Sequence, residues 1–197
     1  MRQFALELSP PSEPSLENFV PGANAELLAR LREFRSGAFP DVILYVWGGT
    51  GSGKTHLLRA AGREHTVDDV ERLDEAAQIA LFNTINEARE AGGRVLAAGN
   101  APPAQLPLRE DLKSRLAWGL VYEVKPLTDE ERARYLRGEA ERRGMRVPAE
   151  VIGYLLTHVR RDLPTLTAIL DRLDRVSLEQ KRQITLPLVR ELLNFPE

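Results

Sequence analysis

The sequence predicts an α/β protein: a parallel sheet with flanking helices, built on a phosphate-binding loop and followed by a small all-helical lid. Three observations carry this. Gly48-Gly49-Thr50-Gly51-Ser52-Gly53-Lys54-Thr55 satisfies the pattern G-x-x-x-x-G-K-[ST], with an apolar run at 42–47 before it and a helix-forming stretch at 56–61 after it. Strand-length apolar runs then alternate with helical periodicity as far as residue 125. Beyond Pro126 every patterned stretch is helical, which marks a domain boundary. The expected organisation is an N-terminal peptide and linker at 1–15, a nucleotide-binding core at 16–125 and a helical lid at 126–197.

A chain of 197 residues can hold one sizeable core and a small satellite. A net charge of −2 gives no global basic field, so DNA binding by bulk electrostatics is not expected. The absence of cysteine excludes disulfides and Cys-containing zinc sites, and His56, His65 and His158 lack metalloprotease spacing. No stretch is long and apolar enough for a membrane span, and the N-terminus lacks the apolar core of a signal peptide. A reduced, cytoplasmic setting without a membrane partner follows as the expectation.

In the first eight residues Phe4, Leu6 and Leu8 alternate with polar positions. The proline-rich stretch 9–15 behind them must be extended. Such a peptide is either an edge strand folded onto the domain or a short linear motif for a partner's groove; spacing alone leaves both open. Residues 16–24 read as a loop with Asn24 placed to cap a helix over 25–34, whose Leu27, Leu28 and Leu31 share a face. Ser36-Gly37 ends it, and the strand before the phosphate loop starts near Asp41. In that loop the glycines let successive backbone N–H groups curl around a phosphate, and the helix N-terminus adds partial positive charge. Lys54 can reach the β and γ phosphates, and the Thr55 hydroxyl is placed for Mg²⁺. Leu57, Leu58 and Ala61 are the buried face of the helix that follows.

Asp68-Asp69, at the end of the short stretch Thr66-Val67, forms a candidate acidic site: one carboxylate for Mg²⁺ through water, the other for the attacking water. Standing alone, the pair would be a solvated turn; beside a phosphate loop it gains meaning. The interval is short, however. Asp68 follows Lys54 by only fourteen positions, and the helix takes roughly ten to twelve of them. Residues 64–67 are too polar and too few for a buried parallel strand. Either a strand–helix unit is missing from this protein, or a segment near His65–Thr66 is missing from the sequence; the second is the expectation.

A helix is expected over 74–91, with Ala77, Ala80, Leu81, Ile85 and Ala88 at helical spacing and Gly92-Gly93 as its stop. A strand over 94–98 ends in Gly99-Asn100. A polar residue at such a tip can reach a γ-phosphate, because ligands sit at the carboxyl ends of parallel strands. A short helix and exit over 112–120 leads into the last strand at 121–124. Thr128 to Glu131 is a capping box opening an Arg-rich helix to about Arg143. Helices follow over 148–159 and 163–176, and Thr185 caps a last one through Leu193.

The α/β core with a helical lid resembles the AAA+ ATPases. The stretches Leu16–Asn24, Gly53-Lys-Thr-His-Leu-Leu58, Val67-Asp-Asp-Val70 and Lys113-Ser-Arg-Leu-Ala-Trp-Gly-Leu120 are together similar to the DnaA replication initiators, along 16–193 apart from the interval before Asp68. That family appends a C-terminal DNA-binding domain, for which no sequence follows Glu197. In size the chain resembles the Hda family of DnaA regulators. An N-terminal Q-x-x-L-x-L-like peptide of that family binds the sliding clamp of DNA polymerase III; Gln3-Phe4-Ala5-Leu6-Glu7-Leu8 matches it and tips the reading towards a linear motif, with clamp-binding positions Gln3, Phe4, Leu6 and Leu8.

The resemblance implies site residues. Gly48, Gly49, Thr50, Gly51, Ser52, Gly53, Lys54 and Thr55 would hold the phosphates of ADP or ATP, Thr55 and Asp68 the Mg²⁺, and Asp69 would occupy the catalytic-base position. Asn100 falls at the first sensor, Arg115 at the arginine finger that acts on a neighbour's nucleotide, and Phe19 and Val20 at the loop lining the base. The family's second sensor, an arginine, aligns with Pro164, which carries no charge; Arg160 and Arg161 lack its register. Weak or absent intrinsic ATP hydrolysis is therefore expected. The implied function is negative regulation of replication initiation: bound to the clamp, the protein would stimulate ATP hydrolysis by DnaA through Arg115, touching DNA only through the clamp, with self-association and a nucleoid location possible. The alternatives are a non-catalytic adaptor positioning DnaA or the replicative helicase, and an autonomous ATPase.

Overall fold

The computed structural model describes residues 13–62 and 65–194. These divide into two compact units, Glu13–Pro126 and the helical remainder from Leu127.

The first unit contains α1 (Ala25–Ser36), β1 (Ile43–Trp47), α2 (Lys54–Ala61), β2 (Thr66–Val67), α3 (Glu75–Ala91), β3 (Val95–Gly99), α4 (Glu110–Leu116) and β4 (Leu120–Glu123). The strands form one parallel sheet in the order β2-β3-β1-β4. Successive side chains of a strand point to opposite faces, and both faces are covered here. Leu44, Val46, Leu96 and Ala98 pack with α1 and α2, while Ile43, Tyr45, Val95 and Ala97 pack with α3 and α4. This is why β1 and β3 read as continuous apolar runs.

The edges differ. In β4, Leu120 and Tyr122 face the α1–α2 layer while Val121 stays exposed. On the other side β2 contributes only two residues, Thr66 and Val67, in register with Leu96 and Ala97. So short a strand is acceptable there because it is an edge and only half-buried. The acidic strand thus pairs directly with β3, with no further strand beyond it among the described residues; Arg63 and Glu64 lie outside them.

Several sequence expectations need correction. The helix that carries Arg115 starts at Glu110 rather than at Leu112, its two acids opening the first turn. Leu120 belongs to the strand, which ends at Glu123. Ala80 is exposed, so α3 buries the narrower face Leu81, Ile85 and Ala88. Asn24 sits at the N-cap of α1 but its side chain makes no capping bond. It donates to the Pro21 and Lys125 carbonyls and accepts from the Lys125 N–H instead, tying the entry loop to the end of the core.

The second unit is α5 (Asp129–Arg142), α6 (Ala149–His158), α7 (Leu163–Gln180) and α8 (Leu186–Asn194) around Leu136, Val151, Leu155, Leu166, Leu170 and Val189. The capping box is complete: Thr128 accepts from the Glu131 N–H and Glu131 accepts from the Thr128 N–H. Helix α7 runs past Val176 to Gln180 and is closed by Lys181 in the left-handed region.

Candidate nucleotide site and arginine cluster

Strand β1 delivers the chain to Gly48 at the carboxyl edge of the sheet, where the Gly48 N–H donates to the Gly99 carbonyl at 3.3 Å. The loop turns back with the Ser52 N–H on the Gly49 carbonyl and enters α2 at Gly53. Gly53 is required twice over. Its φ is +103°, and a Cβ there would lie 2.8 Å from the Phe19 ring. Lys54 Nζ donates to the Gly48 carbonyl at 2.6 Å and the Gly49 carbonyl at 3.2 Å, so the ammonium lies inside the curl of the loop. Ser52 Oγ is buried there without a hydrogen-bond partner, a cost of about 1–3 kcal/mol that a ligand acceptor would relieve. An ammonium, an unmatched hydroxyl and the N-terminus of α2 fit a phosphate group.

The acidic pair is at the same edge. Thr55 Oγ1 donates to Asp68 Oδ2 at 2.7 Å. Asp68 Oδ1 accepts the Asp69 N–H at 3.0 Å, and Asp69 has a left-handed φ of +49°. The Asp69 carboxylate lies 3.7 Å from Arg72. No group of three or more ligating His, Cys, Asp or Glu side chains occurs among the described residues. A cation held by Thr55 and Asp68 would therefore complete its shell with phosphate oxygens and water.

Asn100 is exposed at the tip of β3, and its backbone N–H donates to Glu71 Oε2 at 3.2 Å. Glu71 is the residue that sequence reasoning missed; its only signal is its place three positions after Asp68. Behind it, Tyr45 donates its hydroxyl to the Ala101 carbonyl at 2.7 Å, and burial pushes its phenol well above the ordinary tyrosine value. Phe19 packs against the phosphate loop, tilted on the His56 ring at 5.6 Å, and Val20 beside it is half-buried. The loop, Asp68, Asp69, Asn100 and Phe19 are thus gathered at one edge of the sheet.

Arg115 is not among them. It lies near the end of α4, four residues before Gly119, and Gly119 packs directly on the Ile43 carbonyl at the start of β1. That is the amino edge of the sheet, about 13 Å of strand from the phosphate loop at 3.3 Å per residue. Arg115 Nε donates to Asn86 Oδ1 at 2.9 Å, and its guanidinium lies 3.6 Å from the centroid of the Trp118 ring and 5.0 Å from that of Phe82. Arg89 lies over Trp118 at 4.6 Å. An open cavity of about 570 Å³ is lined by Asn86, Arg89, Glu90, Arg115 and Trp118. No carboxylate pairs with Arg115 among the described residues.

In the helical unit, Asp162 caps α7 by accepting the Thr165 N–H at 2.9 Å, which lets Pro164 occupy the first turn. Arg160 pairs with Asp162 at 3.5 Å and Arg161 with Asp129 at 3.3 Å, so both arginines beside Pro164 contact carboxylates. Gln3, Phe4, Leu6 and Leu8 lie outside the described residues.

Residues 129–193 match the family model described as "Hda, lid domain". Among solved structures, the chain is similar to domain III of the DnaA replication initiation protein from Thermotoga maritima, at 23% identity and a TM-score of 0.76, covering 94% of this chain and 98% of that one. It is also similar to AMPPCP-bound DnaA from Aquifex aeolicus, at 20% identity and a TM-score of 0.69, covering 86% and 69%. A Thermotoga maritima RuvB variant matches at 16% identity and a TM-score of 0.69, covering 92% and 71%. The fold is that of the AAA+ domains of DnaA, followed by a lid of the Hda type.

Proposed function

We propose that this chain is a DnaA-related regulator of replication initiation that supplies Arg115 in trans to ATP held by DnaA and stimulates its hydrolysis. The position of Arg115 carries the reading. It stands at the opposite edge of the sheet from Gly48–Thr55, too far to serve a nucleotide bound by its own loop, and it is unpaired by any described carboxylate. A guanidinium so presented can meet the charge that develops on a neighbour's γ-phosphate, worth about 10³–10⁵ in rate for an arginine supplied by a partner. The Hda lid match and the DnaA-type fold support the setting.

The protein's own nucleotide, ADP or ATP, would be held by Gly48–Thr55 with Phe19 and Val20 against the base, and Mg²⁺ by Thr55 and Asp68. Asp69 and Asn100 occupy the positions for orienting water and sensing the γ-phosphate. With Pro164 at the second sensor, little intrinsic turnover is expected, and the bound nucleotide acts chiefly as a structural switch. Gln3, Phe4, Leu6 and Leu8 would tether the protein to the polymerase III sliding clamp, so that DNA is reached through the clamp at the replisome.

The test follows ADP formation by ATP-loaded DnaA with clamp and DNA. The wild-type chain should accelerate it, Arg115→Ala should not, and the Leu6→Ala, Leu8→Ala pair should lose clamp binding while keeping the fold. Normal stimulation by Arg115→Ala would sink the mechanism, and equal loss of nucleotide binding in that variant would point to misfolding. Substantial ADP formation by this chain alone would favour an autonomous ATPase.

A further inference from the structure

Two side chains outside the phosphate site have no role yet, and both touch Arg115. Asn86 comes from the fourth turn of α3 and is half-buried; Trp118 follows α4 and is 39% exposed. Its indole offers a flat, electron-rich face on which a guanidinium can lie. Here Arg115 covers one part of it at 3.6 Å and Arg89 lies over it at 4.6 Å. The Asn86 amide oxygen takes the single Nε–H of Arg115. An arginine side chain otherwise samples many rotamers. A guanidinium fixed by a ring face and by an Nε acceptor keeps its two terminal nitrogens pointing away from both, and these are the donors that form a bidentate pair with a phosphate.

We infer that Asn86 and Trp118 are positioning residues for Arg115: together they hold the guanidinium in the orientation in which it meets the phosphate of a nucleotide bound by another AAA+ domain. The inference rests on the reading of Arg115 given above and adds to it the residues that set its geometry. Arg89, on the same ring, brings a second positive charge to that cavity, which Glu90 also lines. The physical premise is that a reacting group displaced by about an ångström loses up to about a hundredfold in rate, while binding through the rest of the surface is unchanged.

The variants are Trp118→Ala, Trp118→Phe, Asn86→Ala and Asn86→Gln, each compared with wild type and Arg115→Ala in stimulating ADP formation by ATP-loaded DnaA with clamp and DNA. Trp118→Ala and Asn86→Ala should lower the maximal stimulated rate about 10- to 100-fold, with the half-saturating concentration of this protein changed less than about threefold. Trp118→Phe keeps a ring face and should recover most of the rate; Asn86→Gln keeps the acceptor but moves it one methylene outward and should recover only part. In parallel, the indole Nε1–H resonance of Trp118, identified by its loss in Trp118→Phe, should shift in Arg115→Ala without any change in the thermal midpoint. If Arg115→Ala abolishes stimulation while Trp118→Ala and Asn86→Ala retain the full rate, positioning is wrong and the arginine reading stands. Unchanged stimulation by Arg115→Ala overturns the reading and this inference with it. An indole resonance unmoved in Arg115→Ala would show that the stack does not form in solution, and would overturn the positioning role by itself.

Discussion

Thr55 Oγ1 donates to Asp68 Oδ2 across 2.7 Å, joining the first turn of the helix behind the phosphate loop to the end of the edge strand β2. The bond uses the Thr55 hydroxyl proton and leaves that oxygen's lone pairs free for a cation, with the Asp68 carboxylate held beside it. A cation on the Thr55 oxygen would gain the Asp68 charge beside it, directly or through water. Nucleotide affinity should accordingly depend on Mg²⁺ in the wild type and lose most of that dependence in Asp68→Ala. Lys54→Ala should weaken binding at least about tenfold with or without the cation, since the ammonium is the charge at the centre of the loop. Titration with a fluorescent ADP analogue, with Mg²⁺ or with chelator, checks both.

Gly99 is fixed by close approach. A Cβ there would lie 2.2 Å from the Tyr45 hydroxyl and 3.1 Å from Val70. The tyrosine cannot swing aside without giving up its bond to the Ala101 carbonyl inside the core. Gly99→Ala should destabilise the first unit by about 1–3 kcal/mol. Tyr45→Phe in the same background should restore part of the loss by removing the clashing oxygen; urea unfolding curves of the three variants read this directly.

Asn24 is 4% exposed and joins three backbone groups, two of them on Lys125 about a hundred positions later. Asn24→Ala removes the side-chain partner of the part-buried Lys125 N–H and carbonyl, while the Pro21 carbonyl keeps the Asn24 backbone N–H, and should cost about 1–3 kcal/mol. Asn24→Asp keeps the acceptor but loses the amide donor, and sets a carboxylate against two carbonyl oxygens; it should be no better. A helix cap would behave oppositely, because aspartate caps as well as asparagine. Thermal unfolding of the two variants separates the two roles.

The helical unit should weaken in acid. Burial raises the Glu139 carboxyl, but the hydrogen bonds from Arg142 and Arg143 outweigh it and hold the group below the ordinary glutamate value. Burial likewise acts on Asp162 and is outweighed by its bonds from Thr165. Both pKa values are depressed in the folded state, so their contribution is complete above the ordinary carboxylate range. It fades as pH falls through that range and then through the folded values. Glu139→Gln should be less stable than wild type by about 1–3 kcal/mol near pH 6, and the gap should narrow towards about pH 3. Thermal midpoints across that range would show it; a constant gap would mean that the ion pair with Arg142 and Arg143 contributes nothing to stability.

Local chemistry by itself determined much of this protein. The glycine spacing with Lys54 and Thr55, the continuous apolar runs of β1 and β3, the capping box at Thr128 and the Asp162–Pro164 start of α7 each follow from contacts within a few residues, and all are legible in order along the chain. What only the tertiary structure decided depends on partners distant in sequence. Asn24 meets Lys125, so a residue in cap position is a cross-link. Asp68 follows an edge strand, so two residues suffice where a buried strand needed more. Glu71 reaches the backbone of Asn100, and Asn86 from α3 and Trp118 from the turn after α4 close on Arg115. Above all, the sheet sets Arg115 at the edge opposite the phosphate loop. A sequence motif specifies which chemistry a side chain carries; the direction of the parallel strands decides at which edge of the sheet it stands.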